Sequence, residues 1–220
     1  MHKKYGGAPA NSFTLVELLV VMSIMAILFS ISIPAISSMV RGSNLTVGGN
    51  NLVSHLNLSR QIAMAKNCQV EVRFYELPDA NGSISGMPSI YRAYQSFSLD
   101  NSGTQTNAVT KVMYLPNQIC MSANTTASTL LTTNNPPYYV AGTTTGNSLG
   151  TYPPSAYSYM HFHFKPDGST DLNPGASTPW YISLANQRDV AQDASTGLPA
   201  NFVTIQVNAI TGRISYFRPN

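Results

Sequence analysis

Only 10% of the 220 residues are charged, and Ser, Thr, Asn and Gly crowd the second half. That composition fits an extracytoplasmic or fibre-forming β protein with polar loops better than a cytosolic enzyme, and the length holds one ordinary domain plus an appendage. The formal charge of +3 rests on Lys3 and Lys4: beyond residue 12, ten Lys/Arg face nine Asp/Glu, which excludes the clustered basic footprint that phosphate backbones require.

The chain opens MHKKYGGAPANS, polar and basic, and changes character at Phe13. From Phe13 to Val40 the only charged residue is Glu17. Leu18–Val40 is uncharged and, as a helix, would reach about 34 Å, enough to cross a hydrocarbon core of roughly 30 Å. Lys3 and Lys4 ahead of it place the N-terminus in the cytoplasm by the positive-inside rule. A secretory signal peptide would need a small-x-small cleavage site after the apolar run, and the spacing around Ser32-Ile33-Pro34-Ala35-Ile36 is poor for one. A plain signal anchor leaves Glu17 unexplained, because an unpaired carboxylate at that depth costs about 2.5–3.5 kcal/mol and asks for a partner.

The segment Ser12-Phe13-Thr14-Leu15-Val16-Glu17-Leu18-Leu19-Val20-Val21 resembles the processing site of type IV prepilins and type II secretion pseudopilins. The resemblance implies that a membrane peptidase cuts between Ser12 and Phe13 and methylates the new amino group of Phe13. It also implies a partner for Glu17, the free N-terminal amine of a neighbouring subunit joining the fibre, consistent with buried charges being tolerated when paired. Ser12 departs from the usual Gly before the cut but is small enough for a narrow subsite. Pro34 falls where pilin helices commonly carry a proline; lacking an N–H, it forfeits the bond to the Ser30 carbonyl and should bend or open the helix.

Past Arg41, Gly42 and Gly48-Gly49 are expected to interrupt the helix, each costing up to about 1 kcal/mol. The pattern then recovers: Leu52, Leu56, Ser59 and Ala63, with Val53 and Ile62 beside them, form one stripe that should meet a sheet. The helix should end near Asn67. Val70, Val72 and Phe74 alternate toward a core, and further strands are expected over Ser89–Leu99, Val109–Leu115, Tyr159–Phe164, Trp180–Leu184, Phe202–Val207 and Thr211–Tyr216. Pro166-Asp167-Gly168 reads as a turn. Residues 122–157 read as a long polar insertion without periodicity, and 173–200 as a second variable loop. The helix running straight into a first strand over Leu52–Phe74, together with the last strands, resembles the GspH/FimT-like minor pseudopilins. The leader and low charge are also similar to pilin-like members of the Verru_Chthon cassette type.

Chemistry is sparse. His161 and His163 alternate on one strand, so both rings face one way, a spacing able to hold a metal; no third Cys, His or acidic residue has a spacing that completes the site. They read as two aromatic-like residues, and no metal, cofactor or catalytic set is assigned. Asp167-Gly168-Ser169-Thr170-Asp171 lacks the alternating acids of a calcium loop and fits turn chemistry. Cys68 and Cys120 suit a disulfide or two free thiols equally in an oxidising compartment.

The expectation is an α+β, pilin-like protein: a leader over 1–12, a transmembrane assembly helix over 13–40, its continuation over 41–67, and a β-rich extracytoplasmic head over 68–220. It is expected to be a structural subunit rather than an enzyme, sitting single-pass in the cytoplasmic membrane before joining a fibre. Its partners would be other pilin or pseudopilin subunits and a prepilin peptidase. The rival reading is a binding module; some FimT-like relatives receive DNA through basic C-terminal ends, but only Arg213 and Arg218 lie near this one, which ranks DNA below assembly.

Overall fold

The structure, a computed structural model, describes residues 14–78, 90–100, 106–132, 136–142, 149–150, 152–192, 199 and 201–219. The expected cut between Ser12 and Phe13 therefore lies outside the described residues. The chain divides into two compact units, with the boundary between Val40 and Arg41. One helix, α1 (Leu15–Lys66), contributes to both.

In the first unit the side chains of the apolar run are exposed, among them Leu15, Leu18, Leu19, Ile24 and Ile27. The hydroxyls of Ser23 and Ser30 donate back to the carbonyls of Val20 and Ile27, both at 2.8 Å, so their polarity is satisfied within the helix. The helix continues through Pro34. Among the described residues, no helix is long and apolar enough to cross a membrane.

In the second unit the helical stripe is as the periodicity predicts. Leu45, Leu52, Leu56, Ser59 and Ala63 are buried, and His55 joins them. Gly42, Gly48 and Gly49 do not interrupt α1. The reason at Gly48 and Gly49 is packing. A Cβ on Gly49 would stand 2.8 Å from Tyr216 Cε2 and 3.1 Å from Val203 Cγ1, and one on Gly48 would stand 3.2 Å from Pro116 Cδ. The absent side chains let backbone and sheet approach closely, which offsets the helix-propensity cost. The helix stops where Asn67 takes a left-handed φ of 49° and the Cys68 N–H bonds the Ala63 carbonyl at 3.2 Å, a Schellman-type end.

The sheet follows. Its strands are β1 (Val70–Leu77), β2 (Ile90–Leu99), β3 (Thr106–Ala108), β4 (Met113–Tyr114), β5 (Ile119–Met121), β6 (Tyr138–Val140), β7 (Ser158–Phe164), β8 (Trp180–Asn186), β9 (Phe202–Val207) and β10 (Ile214–Phe217), with a short α2 (Gln187–Gln192) after β8. Pairing is antiparallel throughout the described strands, in the order β10-β9-β8-β5-β2-β1-β7-β6, with β3 and β4 on β2. Val70, Val72 and Phe74 of β1 and Met160, Phe162 and Phe164 of β7 enter one core with the buried leucines of α1. Strand alternation then puts Glu71, Arg73, Tyr159, His161 and His163 on the opposite face.

Two further expectations change, and the cysteines take one of the two states left open for them. Val109–Leu115 is not one strand: the Val109 and Thr110 N–H groups both bond the Ser96 carbonyl, at 3.0 and 3.3 Å, while Thr110 Oγ1 accepts the Ser96 N–H at 2.9 Å and the Thr110 carbonyl accepts from Gln95 Nε2 at 2.9 Å, so the regular ladder is interrupted between β3 and β4. Residues 122–157 hold β6 and two single-turn 3₁₀ helices, and Ala127, Leu130, Leu131 and Leu149 are buried. Cys68 and Cys120 are both free thiols. Cys68 leads into Val70, which pairs Ser98, whereas Cys120 precedes Met121, which pairs Tyr91. They lie toward opposite ends of β2, roughly 20 Å apart by strand rise, while a disulfide needs Cα atoms within about 7 Å. Burial pushes the Cys120 thiol up to about 12, which keeps it protonated and inert.

Candidate functional site

Two places in the chain concentrate chemistry, one in each unit. In the first, Thr14 and Glu17 form a reciprocal cap on α1. The Thr14 N–H and hydroxyl both donate to Glu17 Oε2, at 2.9 and 2.7 Å, and the Glu17 N–H donates to Thr14 Oγ1 at 3.2 Å. This is the capping box Thr-x-x-Glu, in which two orphan donors of the first turn satisfy each other's acceptors. The pattern was readable in Thr14-Leu15-Val16-Glu17, and it gives Glu17 a role within its own helix beside the one that the prepilin resemblance implies.

The second place is the sheet face away from α1. Antiparallel register sets His163 of β7 opposite Glu71 of β1, and His161 opposite Arg73. Directly opposed residues share a face, so one carboxylate, one guanidinium and two imidazoles converge. Arg73 Nε donates to Glu71 Oε1, and its guanidinium lies over the Phe97 ring at 4.0 Å and near the Tyr159 ring at 4.7 Å. Glu71 Oε2 faces the imidazoles: it stands 3.4 Å from His163 Nε2 and 3.9 Å from His161 Nδ1. On the far side of its ring, His163 Nδ1 bonds Asp171 Oδ2 at 2.7 Å, while the His163 N–H donates to Asp171 Oδ1 at 2.8 Å. Asp171 thus fixes both the ring and the backbone of His163. Tyr138 of β6 stands beside the two imidazoles, its ring centroid 5.2 Å from that of His161 and 6.1 Å from that of His163.

The charges follow from these neighbours. Burial disfavours the ionised form of Glu71, but the hydrogen bond to His163 and the charges of Arg73 and His161 outweigh it and hold the carboxyl at about 2. Burial likewise pulls His163 down, and its bonds to Asp171 and Glu71 reverse this, to about 9. His161 is lowered, chiefly by burial. Glu71, His161 and His163 each offer one ligand atom, all within 4.8 Å of one another. The third group that spacing along β7 could not supply comes across the ladder from β1. Asp171 lies just beyond the Pro166-Asp167-Gly168 turn, and Asp167 itself is spent on an Asx turn with the Ser169 N–H and hydroxyl.

A third polar group is structural. His55 Nε2 and Ser96 Oγ are 2.8 Å apart, and Ser96 Oγ is 2.6 Å from Ser59 Oγ. All three residues are buried between α1 and β2, so this Ser–His contact ties helix to sheet and is closed to a substrate. Arg60 of α1 donates from Nε to the Gly168 carbonyl at 3.0 Å. It packs where Gly168 and Gly212, both at positive φ, bring two turns together.

Residues 9–33 match the family profile described as the prokaryotic N-terminal methylation motif. No curated protein matches the chain. Among solved structures, the chain is similar to the minor pseudopilin EpsH from the Type 2 Secretion System of Vibrio cholerae, at 9% identity and a TM-score of 0.42, covering 80% of this chain and 98% of that one. It is also similar to the type IV minor pilin FimU of Pseudomonas aeruginosa, at 10% identity and a TM-score of 0.44, covering 81% and 94%. The methylation motif spans the start of α1, including the Thr14–Glu17 cap.

Proposed function

We propose that this chain is a minor pilin or pseudopilin subunit, cut between Ser12 and Phe13, N-methylated on Phe13, and built by its N-terminal helix into a type IV pilus or a type II secretion pseudopilus. The observation that carries the reading is the methylation motif in phase with α1. Cleavage after Ser12 would leave Thr14 as the second residue and put the new amine beside a capped first turn. Both Thr14 bonds go to Glu17 Oε2, and Oε1 is the oxygen that an incoming subunit's amine would take. The exposed apolar side chains from Leu15 to Phe29 suit first the cytoplasmic membrane, with the N-terminus in the cytoplasm, and then neighbouring helices in the fibre. The head would stand in the periplasm or outside the cell. Its role is that of a structural part rather than of an enzyme. The near balance of charge beyond residue 12 ranks capture of DNA below assembly, and a salt-dependent DNA-binding assay separates the two.

The test is to co-express the chain with a prepilin peptidase and to weigh the N-terminal peptide of the membrane-bound product. A peptide beginning at Phe13 with one added methyl is expected. A product that keeps Met1, or that is cut beyond Ala35, overturns the assembly reading.

A further inference from the structure

We propose that the head binds one divalent transition-metal ion of the zinc class through His161 Nδ1, His163 Nε2 and Glu71 Oε2, with Asp171 positioning His163. The proposal does not depend on how the N-terminus is processed.

Four observations carry it. First, the donor set is two imidazole nitrogens and one carboxylate oxygen, the N/O combination that zinc-class ions take, leaving a fourth position open. Second, the His163–Glu71 separation of 3.4 Å is long for a charge-assisted hydrogen bond, which runs about 2.7–2.9 Å. The same ring makes such a bond to Asp171 at 2.7 Å. Yet 3.4 Å is close to the edge of a tetrahedron with metal–ligand bonds of about 2.0–2.1 Å, roughly 3.3 Å. Third, His161 Nδ1 is buried and has no hydrogen-bond partner among the described residues. A buried, unpaired ring nitrogen aimed at a carboxylate oxygen 3.9 Å away calls for an atom between them. Fourth, the Asp171–His163 contact is the carboxylate–histidine arrangement that orients ligating imidazoles. By accepting from Nδ1–H it leaves Nε2 as the nitrogen that faces Glu71 and that, once its proton is displaced, offers its lone pair to the site.

Arg73 sharpens the geometry. It takes Glu71 Oε1, so Glu71 can offer only Oε2, as a monodentate ligand. The two carboxylates of Glu71 and Asp171 offset the charges of Arg73 and the ion in part. Binding displaces any proton held on His163 Nε2, as metal binding to imidazole does in general. The longest separation among the three ligand atoms is within 4.8 Å, and the broad χ2 wells of imidazoles allow the rings to close it. The ion would clip β7 to β1 on the face opposite α1, beside Tyr138.

The experiment uses the full chain in detergent, stripped with a chelator and then titrated with Zn²⁺. Metal is counted by mass spectrometry, and thermal unfolding is followed in parallel. About one ion per chain and a rise in unfolding temperature are expected. His161→Gln should lose that binding, and Asp171→Asn should weaken it about 10–100-fold, while Asp167→Asn, on the same turn, should bind as the parent does. Co²⁺ in place of Zn²⁺ should give visible absorption of a four-coordinate site in the parent, absent in His161→Gln. Failure of the parent chain to take up Zn²⁺ in stoichiometric amount overturns the proposal whether or not any variant folds. So does full binding by His161→Gln, which would place the ion elsewhere, for instance on His2.

Discussion

The two halves of α1 are built on two sequence rules. From Leu15 to Phe29 the large apolar side chains are exposed; beyond Arg41 the buried positions Leu45, Leu52, His55, Leu56, Ser59 and Ala63 recur at helical spacing, with exposed Asn51, Ser54 and Gln61 between them. A helix that is apolar all round needs an apolar environment from outside the chain, whereas a striped one carries its partner in its own sheet. The same substitution should therefore have opposite consequences in the two halves. Leu56→Ala, at a fully buried site, is expected to cost the head about 2–5 kcal/mol in urea unfolding. Leu19→Ala, at an exposed one, should leave head stability within about 0.5 kcal/mol and show its effect, if the assembly reading holds, in fibre formation. Equal losses would erase the distinction.

A second difference is that the striped half buries a titratable group. Burial holds His55 down to about 4, and its Nε2 meets Ser96 Oγ. The unfolded chain, at the ordinary value of 6.5, takes up the proton first. The contribution of neutral His55 is thus fully present above about pH 6.5 and is lost as the pH falls toward 4, a change on the order of 3 kcal/mol. Unfolding midpoints of the parent and of His55→Gln, measured across that window, should converge as the pH drops. Parallel curves would mean that His55 is solvated.

What was legible follows the same division. The stripe Leu52-Leu56-Ser59-Ala63, the end near Asn67 and the alternation of Val70, Val72 and Phe74 are local periodicities, and each has its element in the fold. The Thr-x-x-Glu cap is equally local, a signal masked by the prepilin resemblance that already accounts for Glu17. The Glu71–His161–His163 group was not legible, since cross-strand register, roughly ninety residues apart in sequence, is fixed only when β1 pairs with β7. The glycines misled for a related reason. Helix propensity counts the cost at Gly48-Gly49 but not the sheet that only a missing Cβ lets approach. Val109–Leu115 read as a strand by composition, while the bonds of Thr110 to the Ser96 N–H and Gln95 decide otherwise.

Those glycines give a sharper comparison within the head unit. At Gly49 the Cβ of Ala would stand 2.8 Å from the Tyr216 ring and 3.1 Å from Val203, whereas at Gly42 the nearest atom is Arg218 Nη2 at 3.9 Å. Gly49→Ala should destabilise the head by about 1–3 kcal/mol through overpacking. Gly42→Ala should stabilise it by up to about 1 kcal/mol through helix propensity and reduced chain entropy. Opposite signs in urea unfolding are the expected outcome, and matching signs would show that close approach is not what Gly49 provides.

The smallest expected effect lies at the start of α1, where the cap and the proposed assembly contact share one residue. Thr14→Ala removes the hydroxyl that donates to Glu17 Oε2 and accepts the Glu17 N–H, but keeps the Thr14 backbone N–H bond to Oε2. The loss should be about 1 kcal/mol, confined to the first turn and visible as faster amide hydrogen exchange at Leu15–Leu18, with the head unchanged. Glu17→Gln separates the two roles of the carboxylate. An amide oxygen can still accept from Thr14, so the first turn should exchange nearly as in the parent, whereas a contact that depends on a negative charge facing an amine should fail. Exchange that speeds up as much in Glu17→Gln as in Thr14→Ala, with fibre incorporation intact, would make Glu17 a helix cap and nothing more.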